Sequence, residues 1–474
     1  MKVAILHYHF ERGGVTRVVE STLRAFARRH PTVRFGLVSG RPVEGLEAPS
    51  ALVPGLDYQA AGARSPRPDD LLDSVLGAAR KLFDGSAPDV WHVHNPALGK
   101  NGAFCGLVAR LARAGHALLL HEHDFAEDFR PANFRLREAH REPGDPVFPH
   151  GPRVFASTIN RRDAAFLADA GLPDGRSLVL PNPVPVPSET IPPPPDGADS
   201  LLYPVRALAR KNLGEFLLLA HVFRDRYRFV STLPPTNPAY RGRFGRWKAL
   251  AAELGLPARL GVAEHEDRPF AERMAECAGV VTTSLAEGFG LAFLEPWAYG
   301  REPVGRDLPE ITGEFREAGL EWPRLYRTLP VPRDRLPGDP IRSWRRGLES
   351  SYEAFGRPAP EAAVARAEAG LEASPTIDFA LLGEDLQEEA LRAIRRRGIP
   401  VEAPDWSVPA DPETSAANRG RIRDRFSPGA YADRLLAVYQ TLAGAPPGET
   451  EDIDSRRLLA AFLRPDRFRP HFAP

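Results

Sequence analysis

Short apolar runs bounded by polar or Gly/Pro residues recur through the first part of the chain. Val3–Leu6, Phe35–Val38, Val90–Val93, Ala117–Leu120, Val154–Ala156 and Leu178–Leu180 each read as a buried strand. Helical patterns lie between them. Val15, Val18, Val19, Leu23 and Phe26 share one helical face, and so do Phe104, Leu107, Val108 and Leu111. Alternation of this kind predicts a parallel sheet with helices on both faces. A proline-dense stretch follows, Pro181-Asn-Pro-Val-Pro-Val-Pro and then Pro192-Pro-Pro-Pro195. It cannot enter a sheet or helix interior and is read as a semi-rigid linker over 191–199.

The alternation then restarts. Leu201–Val205, Tyr227–Val230, Ala258–Val262 and Val280–Thr283 are candidate strands, with helices at Leu213–Phe223, Trp247–Leu254 and Phe270–Cys277. The expected fold class is therefore α/β, with two doubly wound Rossmann-like domains: 1–190 and 200–425. From about Leu308 to Arg425 the chain is less regular and rich in Pro and Arg, and 311–425 reads as an insertion holding helices near Pro360–Leu371 and Leu386–Arg397. Ser427-Pro428 opens another helix, Ser as N-cap and Pro in the first turn. Its apolar face is Tyr431, Leu435, Val438 and Leu442, and a short tail carries Leu458, Leu459, Phe462 and Leu463.

Length and composition agree with two or three domains: 474 residues, 43% hydrophobic. The 62 basic and 62 acidic residues cancel, so no charge excess points to nucleic acid or an anionic membrane. Only five of the basic residues are lysines, Lys2, Lys81, Lys100, Lys211 and Lys248, a bias a GC-rich genome explains. Two cysteines, Cys105 and Cys277, offer neither a disulfide framework nor a metal-ligand spacing, which fits a reducing cytoplasm. No apolar run approaches the ~18 residues of a membrane span, so no transmembrane segment is expected, although peripheral membrane contact stays open.

In doubly wound sheets ligands bind beyond the carboxyl ends of the strands, so the residues just after each strand matter most. After the first strand, Glu11-Arg-Gly13-Gly14 opens a helix; paired glycines allow close backbone approach, though such a pair is often only a turn. The six-residue dinucleotide fingerprint is absent, which disfavours a nicotinamide enzyme. The third strand ends at His94-Asn95 and the fourth at His121-Glu-His123-Asp124. His121 and His123 fall on one side of a strand and Glu122 on the other, an arrangement that disfavours a metal set. Arg206 and Lys211 bracket a turn into a helix, where two cations would suit a diphosphate; a solvated basic turn is the plainer reading. Finally, Val280-Val-Thr-Thr-Ser-Leu-Ala-Glu287-Gly-Phe-Gly-Leu-Ala-Phe-Leu-Glu295 carries a strand into a glycine loop and a helix. It offers the backbone N–H groups of Phe289, Gly290 and Leu291, and two carboxylates whose apolar neighbours argue that they are partnered.

Taken in order, these segments resemble the retaining GT-B glycosyltransferases of family four, which include bacterial mannosyl- and glucosyltransferases and sucrose-phosphate synthases. Glu287 to Glu295 matches the family's Glu-x7-Glu and Arg206 to Lys211 its Arg-x4-Lys. Gly13-Gly14, Asp89-Val-Trp-His-Val-His94-Asn95, Leu120-His-Glu-His123-Asp124, Pro181-Asn182-Pro-Val and Phe426-Ser-Pro-Gly-Ala-Tyr-Ala432 resemble its remaining segments. The resemblance covers most of 1–310 and the helix near 426–442. It implies two domains facing across a cleft, with 426–474 crossing back to pack on the N-terminal domain.

The resemblance also implies a hexose moved from a UDP- or GDP-linked sugar to a hydroxyl acceptor, with retention and without a metal or other cofactor. Arg206 and Lys211 would hold the diphosphate, and Glu295 the ribose. Glu287, Gly14 and the backbone at Phe289–Leu291 would hold the donor, and His123 would lie near the reacting carbon. Gly13, His94, Asn95 and Lys100 would lie on the acceptor side. The chain departs from the pattern at Val205 and Asn212, where the family has glycines, at Ser231-Thr-Leu-Pro-Pro, and at Asp307-Leu-Pro309-Glu310. A GT-B-like binding or assembly protein without catalysis is the alternative; retention of Arg206, Lys211, Glu287 and Glu295 together favours the enzyme.

Overall fold

The computed structural model describes residues 1–60, 65–187, 192–266 and 268–473. The chain forms two compact units, Met1–Pro185 with Asp424–Arg464, and Val186–Arg423 with Pro465–Pro474.

The first unit is built on a seven-stranded parallel sheet. Its strands are β1 (Lys2–His7), β2 (Arg34–Ser39), β3 (Ser50–Leu52), β4 (Val90–His94), β5 (Leu118–Glu122), β6 (Val154–Thr158) and β7 (Ser177–Val179), in the order β3-β2-β1-β4-β5-β6-β7. Order reverses between β1 and β4, the switch point of a doubly wound sheet. The expected strands are all present. β3 and the Pro68–Leu82 helix are additional; β3 is a three-residue edge with no apolar run to signal it. On one face the Gly14–Arg29 helix packs against the Pro428–Gly444 helix. Val18, Val19, Leu23 and Phe26 meet Tyr431, Leu435, Tyr439 and Leu442 over Val3, Ile5 and Leu119 of the sheet. Ser427 caps the later helix, its side chain accepting from the Ala430 N–H, with Pro428 in the first turn. Asp433 on that helix pairs with Arg29 and His30.

The second unit holds a six-stranded parallel sheet. It comprises β8 (Ser200–Arg206), β9 (Arg228–Leu233), β10 (Ala258–Arg259), β11 (Gly279–Thr282), β12 (Pro303–Arg306) and β13 (Leu325–Tyr326), ordered β10-β9-β8-β11-β12-β13. A separate antiparallel pair joins β14 (Pro330–Pro332) to β15 (Thr376–Asp378). β12 escapes sequence reading because Pro-Val-Gly-Arg has no apolar run. Gly305 within it sits at φ 121°, and a Cβ there would lie 2.0 Å from the Thr282 carbonyl oxygen, so only glycine lets β12 press onto β11.

The stretch over 311–425 packs into the core of the second unit: Ile377, Phe379, Leu391, Ile394 and Trp406 join Phe216, Leu218 and Trp247, and Trp406 stacks on Phe223 at 4.2 Å. One expectation is corrected. The tail does not stay with the N-terminal unit. Ser455–Phe462 packs there through Leu458 and Phe462, whereas the chain from Pro465 onward belongs to the second unit. The division between the units falls at Pro185–Val186, ahead of the expected linker, and residues 188–191 lie outside the described residues.

Candidate functional site

In the first unit the chain leaves β1, β4 and β5 at neighbouring points of the sheet. Asn95, just past β4, takes a left-handed φ of 52°, which Asn tolerates better than most residues. Its side-chain oxygen accepts from the backbone N–H groups of His123 (2.7 Å) and Asp124 (3.1 Å), and its carbonyl accepts from the Tyr8 hydroxyl at 3.1 Å. Asn95 therefore pins the end of β5 to the ends of β4 and β1.

Parallel register sets His94 beside His121, and the period of two puts His92, His94, His121 and His123 on one face. All four are buried and hydrogen-bonded in pairs. His92 Nε2 meets His121 Nδ1 at 3.0 Å, His94 Nδ1 meets His123 Nε2 at 2.8 Å, and His92 Nδ1 meets the Tyr439 hydroxyl at 2.7 Å. A fifth histidine, His7, is bonded to the His94 carbonyl at 3.1 Å. Burial holds every one of them neutral, His7 and His92 near a pKa of about 3, His123 about 4, and His94 and His121 well below the ordinary value. Glu122 points to the other face, where its Oε1 accepts from the Ala97 N–H at 3.3 Å; burial raises its carboxyl well above the usual range.

Nitrogens of His92, His94 and His121 lie within 4.8 Å of one another, within reach of a common metal ion. The rings, however, form hydrogen-bonded pairs: the His92 and His121 planes differ by only 9° with centroids 5.2 Å apart. A metal would have to displace these N–H···N bonds, so the ring geometry fits the paired arrangement better than a ligand set.

His94 and Asn95, expected on the acceptor side, are thus buried and committed to His123. Gly13 and Gly14 open the first helix as expected, Gly13 in extended backbone. Lys100 is half-buried, its ammonium 5.4 Å from the centre of the Tyr58 ring, and burial lowers its pKa.

In the second unit the corresponding strand ends hold charge. Arg206 is the last residue of β8 and donates to the Thr236 hydroxyl at 2.9 Å, on the Pro-rich loop after β9. Lys211 closes a short 3-10 turn, Ala209–Lys211. Its ammonium is buried against Glu287 at 2.5 Å and donates to Ser284 at 3.3 Å. Burial lowers the Lys211 pKa. Burial pushes Glu287 upward, but the charges of Lys211 and Arg210 together with hydrogen bonds from Lys211 and Ser284 outweigh it, and the carboxyl ends below its ordinary value. The Tyr203 hydroxyl and Thr283 both donate to the Lys211 carbonyl at 2.9 Å, and the Leu285 N–H donates to the Arg210 carbonyl at 2.8 Å. The loops after β8 and β11 are thereby stitched into one surface.

Asn212, where the family has glycine, adopts φ 52° and caps the Leu213–Val222 helix, so the substitution preserves the left-handed turn. Gly290 keeps its glycine for cause: at φ 93° a Cβ would lie 2.6 Å from Ile311. It starts the Leu291–Ala298 helix, so the N–H groups near Phe289–Leu291 lie at a helix N-terminus and Glu295 on the half-buried side of that helix. The structure brings together Lys211 and Glu287, and His94, Asn95 and His123; it gives Arg206 a different partner from Lys211. Tyr203, Thr283, Ser284 and Thr236 were not singled out in the sequence. The hydroxyl run Thr282-Thr-Ser after β11 was the available signal.

No family model matches the chain. Among curated proteins it is similar to a mannosylglucosyl-3-phosphoglycerate synthase of Petrotoga mobilis, 22% identical over 323 residues, 61% of this chain and 62% of that protein. The match thus spans less than two thirds of the relative's length. Among solved structures it is similar to HepE of Anabaena, crystallised with UDP and glucose (TM-score 0.55, 13% identity, 93% of this chain and all of that one). A glycosyltransferase of Rickettsia africae (TM-score 0.56, 11% identity, 94% and 98%) and the sucrose-phosphate synthase of Thermosynechococcus elongatus (0.51, 14%, 93% and 98%) are similar too. The fold is that of the GT-B glycosyltransferases, with two Rossmann-like domains. Among the described residues no helix is long and apolar enough to cross a membrane.

Proposed function

We propose that the protein is a retaining glycosyltransferase that moves a hexose from a UDP- or GDP-linked sugar to a hydroxyl acceptor. The observation that carries this reading is the buried Lys211–Glu287 pair on the stitched loops after β8 and β11. A cation kept charged by a carboxylate at strand ends of a GT-B domain suits a diphosphate leaving group. The similarity to a synthase named for a mannosylglucosyl product, and to an enzyme crystallised with UDP and glucose, supports the same reading.

In the reaction, the bond from the sugar's anomeric carbon to the diphosphate breaks with its electron pair leaving on phosphate. The acceptor oxygen bonds to that carbon, and its proton passes to the leaving phosphate. Arg206 and Lys211 neutralise the growing negative charge without a metal. Glu287 and the N–H groups of Phe289–Leu291 hold the sugar, Glu295 the ribose, and Gly14 contributes close backbone approach. His123, neutral and fixed by His94 and Asn95, offers a hydrogen bond near the reacting carbon. Gly13 and Lys100 remain the acceptor-side candidates.

The test is purified protein incubated with UDP- and GDP-sugars, scored for free nucleotide without and with hydroxyl acceptors. Slow release without acceptor is expected, unchanged by EDTA, with the product anomer matching the donor by NMR. No thermal shift with any nucleotide sugar would sink the donor claim. Loss of activity in EDTA would overturn the metal-free mechanism, and an inverted anomer would overturn retention.

A further inference from the structure

The chain from Pro465 onward returns to the second unit and reaches the loop that carries Lys211. Its last short turn, Pro470–Phe472, packs against the Ala209–Lys211 turn and against the Pro340–Ala354 helix. His471 within it is buried, and its Nε2 lies 3.2 Å from the Oε1 of Gln387, itself fully buried. Gln387 in turn donates from Nε2 to the Asn212 side-chain oxygen (2.9 Å) and to the Phe379 carbonyl (3.0 Å). Asn212 donates onward to Glu215 at 2.9 Å, and Glu215 is held by Arg306 and Tyr326. A second tie runs from Arg467 in the same tail to Glu310 at 3.3 Å, beside Asp307 and Pro309 of the altered family motif.

The proton inventory fixes the direction of this chain. His471 Nδ1 is buried without a partner, which is tolerable for a bare lone pair and costly for an N–H. His471 is therefore the Nε2–H tautomer and donates to Gln387. That donation assigns Oε1 as the acceptor end of the amide and leaves its NH2 for Asn212 and Phe379. Without His471 the buried Oε1 of Gln387 loses the donor that ties it to the tail, and the amide is held only through its NH2 by Asn212 and Phe379. Asn212 occupies a left-handed position that glycine would hold without help, so it needs both its cap and this bond.

We propose that the C-terminal tail, through His471 and Gln387, is a positioning element for the donor-diphosphate loop at Lys211. This rests on the donor reading given above. His471→Ala is expected to weaken UDP or GDP binding and raise the donor KM about tenfold, the scale of one lost buried hydrogen bond. The acceptor KM should stay within about twofold, and His471→Gln, which keeps an N–H donor, should recover most of the loss. In an Asn212→Gly background the His471→Ala effect should shrink to under about twofold, since the bond it supports is gone.

Hydrogen exchange gives a readout that needs no ligand. Amides over 208–213 should exchange faster in His471→Ala than in the parent, and the Gly290 loop should not. Unchanged exchange over 208–213 in folded His471→Ala protein would overturn the proposal even if nucleotide binds. Faster exchange in a protein that binds no nucleoside diphosphate would uphold the tail's hold on the loop and overturn its assignment to a donor. An equal effect of His471→Ala in the parent and in the Asn212→Gly background would also overturn it, because the path through Asn212 would then carry nothing.

Discussion

The two sheets end in opposite electrostatics. In the first unit the ends of β4 and β5 carry a ladder of histidines that burial keeps uncharged, pinned by Asn95 and Tyr439. In the second unit the ends of β8 and β11 carry a paired cation and carboxylate, backed by Glu215, Arg306 and Asp378. Similar doubly wound scaffolds thus bury neutral histidines in one case and an ion pair in the other. A buried ion pair with a second phosphate-competent cation nearby in sequence suits an anion that can take over one partner.

Acid should break this contrast most strongly. The five histidines titrate near 6.5 when unfolded but remain neutral when folded, so the unfolded chain binds more protons below about pH 6.5. Their contribution is fully present above that pH and is lost as pH falls toward about 4. His7, His92 and His123, with folded values of about 3 to 4, should each cost about 2 kcal/mol at pH 5. The urea midpoint should therefore be level between about pH 7 and 8 and fall steeply below about 6.5. A level midpoint down to about pH 5 would mean that the ladder already carries charge.

Lys211→Ala comes next. It removes the cation and leaves Glu287 buried without its ion-pair partner, so kcat/KM with a nucleotide sugar should drop by roughly 10²–10³. Calorimetry should record weaker nucleotide binding, and unchanged affinity would separate this lysine from the donor. His94→Leu tests the neutral side. It strips His123 of its ring partner and should lower kcat/KM about tenfold with nucleotide affinity unaltered. A change in nucleotide affinity instead would erase the division of labour between the units. The smallest effect is expected for Asn212→Gly, which keeps the left-handed turn but loses a cap and the side-chain bonds to Glu215 and Gln387, about 1 kcal/mol by denaturant titration. Asn212→Ala should cost more, because a Cβ branch without a capping oxygen gains nothing at φ 52°.

The strands that carry these sites were legible because they are apolar on both faces, as parallel strands between helix layers must be. β12 and β3 were not, being too short or too glycine-dependent to leave a run. Lys211, Glu287 and Gly290 could be picked out from spacing against a known motif. Their stitching by Tyr203, Thr283 and Ser284 could not, since it depends on β8 and β11 being neighbours in the sheet. Read along the sequence, His94 and Asn95 face a ligand. Register instead sets His94 beside His121, where its ring bonds that of His123 and Asn95 is committed to the chain beyond β5, a cross-strand effect no local pattern records. The region after Leu308 was not legible because its apolar residues are scattered among arginines, yet Ile377, Phe379 and Trp406 complete a core begun at Leu201.

The path of the chain also bears on how the molecule is made. The backbone passes from one unit to the other at Pro185–Val186, at Arg423–Asp424 and again at Arg464–Pro465. A ribosome delivers Val18, Leu23 and Phe26 early, but Tyr431, Leu435 and Tyr439, which cover them, emerge only after almost all of the second unit. The first unit therefore waits with an apolar helix face open during most of synthesis, and the second waits for His471. Neither can close domain by domain as it leaves the ribosome, and nascent chains halted before Leu442 should be the species that chaperones hold.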